Sequence, residues 1–560
     1  MRPRVSSQRR LAIALVAFGA IAIAGYGCAG DAERASPAAA LVLHGGKVFT
    51  ADVAKPWAEG IAIAGDRILA VGADAEVLAL ATDATERIDL GGRVVVPGFN
   101  DAHVHPAAPL PSHDLGLPFD PPVAQVLDAI RSGAAATPAG TWLEGTIGGA
   151  VFDDPSARRA ALDRVAPEHP VLLYGWTGHG RLLNSAALRA LELDRARPAG
   201  FAGWIEQDAA GAPTGLFHGY EGFRIAAART RPASDDESVA AFEAFAREAL
   251  SYGITSVQQM AMPYSIERSV AVLARAEVPL RWRLIDFPLE GLEAFAPAPA
   301  APLPPNVTIS GVKWISDGTP EERWMAMREP FADRPDWSGQ PYLDQENLRA
   351  AVAATLARHE QLIVHAVGDR AVESVFAAME AAQPAERWPE LRPRIEHGDG
   401  LRRDLYARAA ALGVTVVQNP SHFTIADLVE RRLGRDAPVR AEFQPFRSLA
   451  AANIPIAIGS DGPLNPFLNI MFAVRHPINP AEALTVEQAV AAYTAGSARA
   501  ELREQEKGMI RAGMLADLAV LSQDIFTIAP DALPATASDL TVIGGRVVYR
   551  RGDAPGDAAP

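Results

Sequence analysis

Val94-Val95-Val96-Pro97-Gly98-Phe99-Asn100-Asp101-Ala102-His103-Val104-His105-Pro106 is the stretch on which the fold turns. A β-branched apolar run passes through a Pro-Gly break into two histidines one residue apart. On an extended strand residues i and i+2 point to the same side, so His103 and His105 can aim two imidazoles at one point. A metal centre requires such convergence, and histidine is the commonest metal ligand. The pair also occurs without a metal, so its meaning rests on ligands supplied elsewhere.

Upstream, Met1 to Arg10 carries four arginines and no acid, and Leu11 to Gly27 is a small apolar run. These are the two halves of an export signal over residues 1–30. Arg9-Arg10 also fits a twin-arginine signal. The expected location is the periplasm or cell envelope. Cys28, the single cysteine, sits where the apolar run ends, the place of a lipidated residue that would tether the chain to a membrane. Ordinary cleavage near Ala29 or an uncleaved anchor are the alternatives. One cysteine excludes an internal disulfide framework and a thiolate metal cluster.

The chain of 560 residues is 49% hydrophobic and 21% charged, with net charge -15. That is a globular composition with room for two or three domains. Its acidity argues against an electrostatic nucleic-acid surface, and a homodimer is compatible with it. After a linker over 31–40, short β signals appear at Leu41-Val42-Leu43, Lys47-Val48-Phe49-Thr50, Ile61-Ala62-Ile63, Arg67–Val71 and Arg87–Leu90. The far end repeats the texture in Leu518–Leu521 and Leu540–Ile543, and Gly544–Tyr549 echoes Gly45–Phe49. The expectation is one composite β-sandwich from residues 41–97 and 506–550.

Residues 98–505 alternate strands with helices. Strand candidates are Phe99–Val104, Ile254–Gln258, Arg281–Ile285, Val307–Ile315, Leu362–Ala366, Pro393–Glu396, Val414–Gln418 and Pro455–Gly459. Helical stretches include Ser265–Ala276, Glu346–His359, Arg370–Ala382, Arg402–Ala411 and Val486–Arg499, with Gly413 and Asn453 as stops. Eight strands with crossover helices predict an α/β fold, a (β/α)8 TIM-like barrel. About 150 residues separate the first two strands, too many for one loop, so an inserted subdomain is expected over about 107–232.

The chemistry collects at the strand ends. The first ends in His103 and His105, the fourth carries Lys313 inside an apolar run, the fifth ends in His365, the sixth in His397, and the eighth in Asp461. Barrel active sites are built at C-terminal strand ends. Singly, each has a bland reading: a rim histidine, an Asp-Gly turn, a snorkelling lysine. Jointly, five strand ends favour a metal site. Neutral imidazoles and carboxylates bind zinc, although manganese, iron or nickel accept the same ligands. A buried lysine can lose its proton and take up carbon dioxide as a bridging carbamate. His103, His105 and Asp461 would then hold one divalent ion, His365 and His397 a second, and carbamylated Lys313 would bridge them. A metal-activated hydroxide is the expected nucleophile, with Asp461 accepting its proton and passing it to the leaving amine.

This constellation resembles the amidohydrolase superfamily, in particular the amidohydrolase-3 branch that includes N-substituted formamide deformylases. Val96–His105, Gly253-Ile254-Thr255-Ser256, Val312-Lys313, His365–Arg370, Ile395-Glu396-His397 and Gly459-Ser460-Asp461 carry the resemblance across nearly all of the mature chain. His179 through Ser185 and Gly211 through Gly215 resemble the inserted segment of that branch. The resemblance implies a metal-dependent barrel hydrolysing C–N bonds other than peptide bonds in small amide-type substrates. Two departures are Gln258-Gln259, where relatives often carry an acid, and the Trp142–Gly149 segment; both are expected to concern the pocket. Trp176, His179 and Arg181 lie in the insertion, where a lid would contact substrate, and His422 follows the seventh strand as a group to polarise a carbonyl. The competing functions are a one-metal deaminase or cyclohydrolase and a non-catalytic barrel. The first is disfavoured by Gly368 where a proton-shuttling glutamate is usual, the second by a ligand set that lacks no member.

Overall fold

The computed structural model describes residues 38–553 except 109, 194–203, 293 and 297–301. The expected export signal, Cys28 and most of the linker lie outside the described residues. Eight strands form one sheet: β1 (Phe99–Val104), β2 (Ile254–Met260), β3 (Arg281–Asp286), β4 (Val307–Ile315), β5 (Leu362–Ala366), β6 (Arg394–His397), β7 (Thr415–Gln418) and β8 (Ile456–Ile458). They run in sequence order with every neighbouring pair parallel. β1 and β8 share no ladder, and the seam is held instead by the Asp461 N–H donating to His103 O at 3.0 Å and the Ser460 N–H donating to Asp101 Oδ1 at 2.8 Å. This is a TIM-like barrel, nearly closed.

Burial on both faces explains the continuous apolar runs of these strands. The outer faces pack on helices such as Asp369–Ala382, which buries Val372, Val375 and Phe376. Local signals start and stop those helices. Ser234 and Glu237 form a capping box on Asp235–Ser251, and Gly413 and Asn453 take left-handed φ values of 63° and 56°. The Val486–Arg499 stretch is not one regular helix. It contains a π-helical turn, Ala492–Gly496, in which Gly496 lies so close to β8 that a Cβ would meet Ile456 O at 2.2 Å. That turn sends the Tyr493 hydroxyl to Asp101 Oδ2, 2.7 Å away.

Both ends of the chain feed a pair of β-sheets. One runs Arg67–Gly72, Gly60–Ala64, Ala39–His44, Ala81–Asp89; the other runs Arg546–Arg550, Ser538–Ile543, Leu518–Leu521, Val94–Pro97, Lys47–Phe49, Trp57–Ala58. Leu43, Ile61, Val95, Leu518 and Val542 meet in their shared core. Between β1 and β2 the chain builds a further six-stranded sheet from His113–Asp114 to Pro213–His218, with its own apolar clusters. Among the described residues no helix is long and apolar enough to cross a membrane.

Two expectations fail in three dimensions. Gln258 is fully buried in the barrel interior, where it donates to Ser497 O at 3.0 Å and accepts from Arg283. Gln259 faces outward to Ser269 Oγ at 2.9 Å. Leu143–Ile147 is an inner strand of the insertion's sheet. None of these lines the pocket at the barrel mouth. Strand register alone could not say which interior layer a glutamine would occupy.

Candidate metal centre

The barrel interior under the mouth is polar and buried. Arg394 and Glu396, two residues apart on β6 and so on one face, are both fully buried and bonded to each other at 2.9 and 3.0 Å. Glu396 reaches across the barrel to His103 Nδ1 at 2.7 Å. Burial alone would raise its pKa, but Arg394, His103 and Lys313 together hold it well below the usual carboxylate range. An ionised Glu396 requires a proton on His103 Nδ1, which leaves the Nε2 lone pair facing the mouth.

The same orientation recurs. His105 Nδ1 lies 2.9 Å from Met262 O, a group that can only accept. His397 Nδ1 lies 2.8 Å from Asn419 Oδ1, and the Asn419 amide is fixed by donating to Gly459 O at 2.9 Å. Three imidazoles thus carry Nδ1–H and present Nε2 lone pairs to one space. His103 and His105 Nε2 stand 3.2 Å apart with no proton between them. Two lone pairs in that contact repel unless a cation takes them up, so the donor set fits a metal.

Asp461 stands between the histidines. Its Oδ1 is 3.7 Å from His103 Nε2 and 3.6 Å from His105 Nε2; its Oδ2 is 3.9 Å from His397 Nε2 and 3.5 Å from His422 Nε2. His103, His397 and Asp461 offer ligand atoms all within 4.8 Å of one another. His365 packs against His397 with ring centroids 4.4 Å apart, and its buried Nε2 has no hydrogen-bond partner among the described residues. Lys313 is 1% exposed, with Nζ 3.4 Å from His103 Nε2. Burial pulls its ammonium down to about 8, so a neutral amine, the form that takes up carbon dioxide, is within reach. His397 and Asp461 both sit at left-handed φ, 67° and 40°, the kind of backbone strain that clusters at functional sites.

The six expected residues therefore line one space, and of them His103, His397 and Asp461 bring their ligand atoms within 4.8 Å of one another. Around them, the His179 ring lies tilted against His365 at 4.8 Å between ring centroids, and burial lowers its pKa to about 4, a neutral imidazole. Burial opposes charge on His422, yet the hydrogen bond and charge of Asp461 raise its pKa. Trp176 lies edge-on to His422 at 6.1 Å. These residues and the ligands line a cavity of ≈ 680 Å³ and a smaller one beside it. Asp317 accepts from the backbone of Ala326, Val367 and Gly368 and so shapes the loop after β5. Sequence reading passed over Glu396, Asn419, Asp101 and Glu321. For Glu396 a signal existed: opposite charges at i and i+2 inside an apolar strand.

A nearly closed barrel with histidine, lysine and aspartate ligands converging at its C-terminal mouth is the architecture of metal-dependent hydrolases. The chain belongs to the Amidohydrolase family, which it matches over residues 86–549, and it is a metal-dependent hydrolase of that superfamily. Its relatives include the YtcJ protein of Bacillus subtilis (strain 168), 30% identical over 83% of this chain and 91% of that one. The N-substituted formamide deformylase of Arthrobacter pascens is 27% identical over 91% of this chain and 98% of that one. An uncharacterized metal-dependent hydrolase from Pyrococcus horikoshii OT3 superposes with a TM-score of 0.65 at 20% identity, covering 88% of this chain and 99% of that one. The last likeness speaks for the fold alone.

Proposed function

We propose that this protein hydrolyses a C–N bond, of an amide, N-formyl or related small molecule, at two divalent metal ions. The convergence of inward Nε2 lone pairs, the Asp461 carboxylate and the buried Lys313 amine carries this reading. His103, His105 and Asp461 would hold one ion, His365 and His397 the other, with a Lys313 carbamate between them; zinc is the metal these ligands suit best, and manganese, iron or nickel are alternatives. When bound, the ions would supply Lewis acidity and lower the pKa of water. Asp461, ionised beside His422, can accept a proton at Oδ2 and return it to the departing nitrogen. His422 and His179 are placed to donate to the carbonyl oxygen of a substrate, and Trp176 to pack on it. The name of the Arthrobacter pascens relative supports the N-formyl bond among these choices.

The test is metal analysis joined to a screen of N-formyl, N-acyl and cyclic amides with the zinc- or manganese-loaded protein. About two ions per chain, and activity abolished in Lys313→Ala, is the expected result. One ion per chain with Lys313→Ala still active would instead identify a one-metal deaminase or cyclohydrolase. We also propose export to the cell envelope, supported by the arginine-rich head and apolar run before Cys28; fractionation and the mass of the mature N-terminus test it.

A further inference from the structure

The loop that brings Trp176 and His179 to the metal centre is the tip of a hairpin. Strands Val171–Gly175 and Arg181–Leu183 pair antiparallel. The turn between them closes with the Gly175 N–H donating to Gly180 O at 3.0 Å and the Gly178 N–H, at φ 77°, donating to Gly175 O at 2.9 Å. The barrel grips this tip through the loop after β4, the strand that carries Lys313. There Glu321, fully buried, accepts from two successive residues: the Trp176 N–H at 3.2 Å on Oε1, and the Thr177 N–H at 3.0 Å and hydroxyl at 2.8 Å on Oε2. The Thr177 oxygen in turn accepts from Thr319 at 3.2 Å. Gly175 permits the approach, since a Cβ there would meet Glu321 Oε2 at 2.9 Å. The Glu321 backbone is itself held, its carbonyl accepting at 3.2 Å from Arg432, which pairs with Asp153 and Asp333 at 2.9 and 2.7 Å. The gripped tip is a partition: Thr177 and His179 line both the cavity of ≈ 680 Å³ and the smaller one, of ≈ 20 Å³. Of these two, His103, His105 and Lys313 line only the large one, whereas His422 lines only the small one, with Ile425, Val429 and Phe443.

We propose that Glu321 is a positioning residue that fixes this partition, and that the fixed tip restricts the substrate's acyl group to formyl or acetyl size. This rests on the reading of the site as a C–N hydrolase. His422 is the group placed to polarise the carbonyl, so the acyl end lies toward the small cavity and the amine portion extends into the large one. A space of ≈ 20 Å³ holds about one or two water-sized groups, too little for a butyryl chain unless the tip moves. An ionised carboxylate is an acceptor only and suits three donors. Glu321→Gln keeps the shape but has one acceptor oxygen: if it replaces Oε2, the Trp176 N–H faces the amide NH2, and if it replaces Oε1, both Thr177 donors do.

Hydrogen–deuterium exchange on the metal-loaded wild type and Glu321→Gln reads the grip directly, at about pH 8, above the value of about 7 to which burial pushes this carboxyl. Loss of a bond to a charged group predicts exchange about 10-fold faster across the hairpin tip, with the β4 and β5 amides unchanged. Kinetics on N-formyl- and N-butyrylphenethylamine read the consequence. In the variant KM for the formyl amide rises with kcat nearly kept, and the formyl-over-butyryl ratio of kcat/KM falls about 10-fold. Thr177→Val removes the hydroxyl bond and spares both N–H bonds, so it shifts the two readouts the same way by less; it carries the test alone where Glu321→Gln does not fold. Unchanged exchange at the tip, or faster exchange with the formyl-over-butyryl ratio intact, overturns the proposal, as does a loss of both rates through kcat alone. Calorimetric titration of the two amides separates this from the reaction class. Formyl-selective binding that weakens in Glu321→Gln, without turnover of either amide, upholds the partition and refutes the bond assignment; equal binding of the two by the wild type refutes the partition.

Discussion

Glu396→Gln is the perturbation that most directly separates ligand identity from ligand orientation. The carboxylate uses one oxygen on His103 Nδ1 and Arg394 and the other on Arg394 alone, at 2.7 to 3.0 Å. A glutamine keeps the shape but has one acceptor oxygen. If that oxygen serves His103, the amide NH2 faces the Arg394 donors; if it serves Arg394, the His103 proton loses its partner. Breaking a buried ion pair from one side costs about 3–5 kcal/mol. Arg394 also donates to Ala102 O at 2.9 Å and to Gln258, so the lower end, about 3 kcal/mol, is expected. The second effect is on His103, whose Nε2 is no longer held toward the candidate metal centre. Loss of such a partner lowers metal affinity by 10- to 100-fold, about 1.4–2.7 kcal/mol. Urea unfolding of the metal-free protein measures the first number, and competition with a chromogenic chelator under native conditions measures the second. Wild-type metal affinity in a folded Glu396→Gln protein would refute the claim that the carboxylate sets the His103 tautomer.

Two further outcomes follow from the geometry. Glu321 accepts from the Trp176 and Thr177 N–H groups and the Thr177 hydroxyl, and burial, then repulsion by Glu322, pushes it up to about 7 from 4.5. Between those values the unfolded chain has released a proton that the folded chain keeps, so stability falls as pH rises from about 4.5 to about 7, by about 3 kcal/mol, and levels off above. Unfolding free energies of metal-free wild type and Glu321→Gln across that window check it, and an unchanged slope in the variant counts against it. Gly459→Ala would place a Cβ 2.5 Å from His103 N and 2.7 Å from His103 Cβ. Overpacking of this kind costs about 1–3 kcal/mol, and because it falls on the β1–β8 seam the bound metal per chain should drop as well, which elemental analysis reads.

The strand count and the six candidate ligands at the barrel mouth were legible because both are written in short-range chemistry. A buried parallel strand needs a continuous apolar run, so the histidines, lysine and aspartate at its end stand out against their neighbours. The pocket was legible only in part. Gln258 and Gln259 are adjacent in sequence, yet one points into the barrel and the other to a helix, and only the sheet's inside and outside distinguish them. The insertion could be inferred from its length, but not that Trp142–Gly149 would lie within its sheet while Trp176, His179 and Arg181 face the cavity.

By itself the sequence determined a metal-dependent barrel of the Amidohydrolase family and named the candidate ligands, since ligand chemistry resides in side-chain identity and strand periodicity. Tertiary structure decided which nitrogen of the His103, His105 and His397 imidazoles faces the candidate metal centre, and that Glu396 of β6 holds His103 of β1. These depend on distances between segments hundreds of residues apart, and chain proximity carries no record of them.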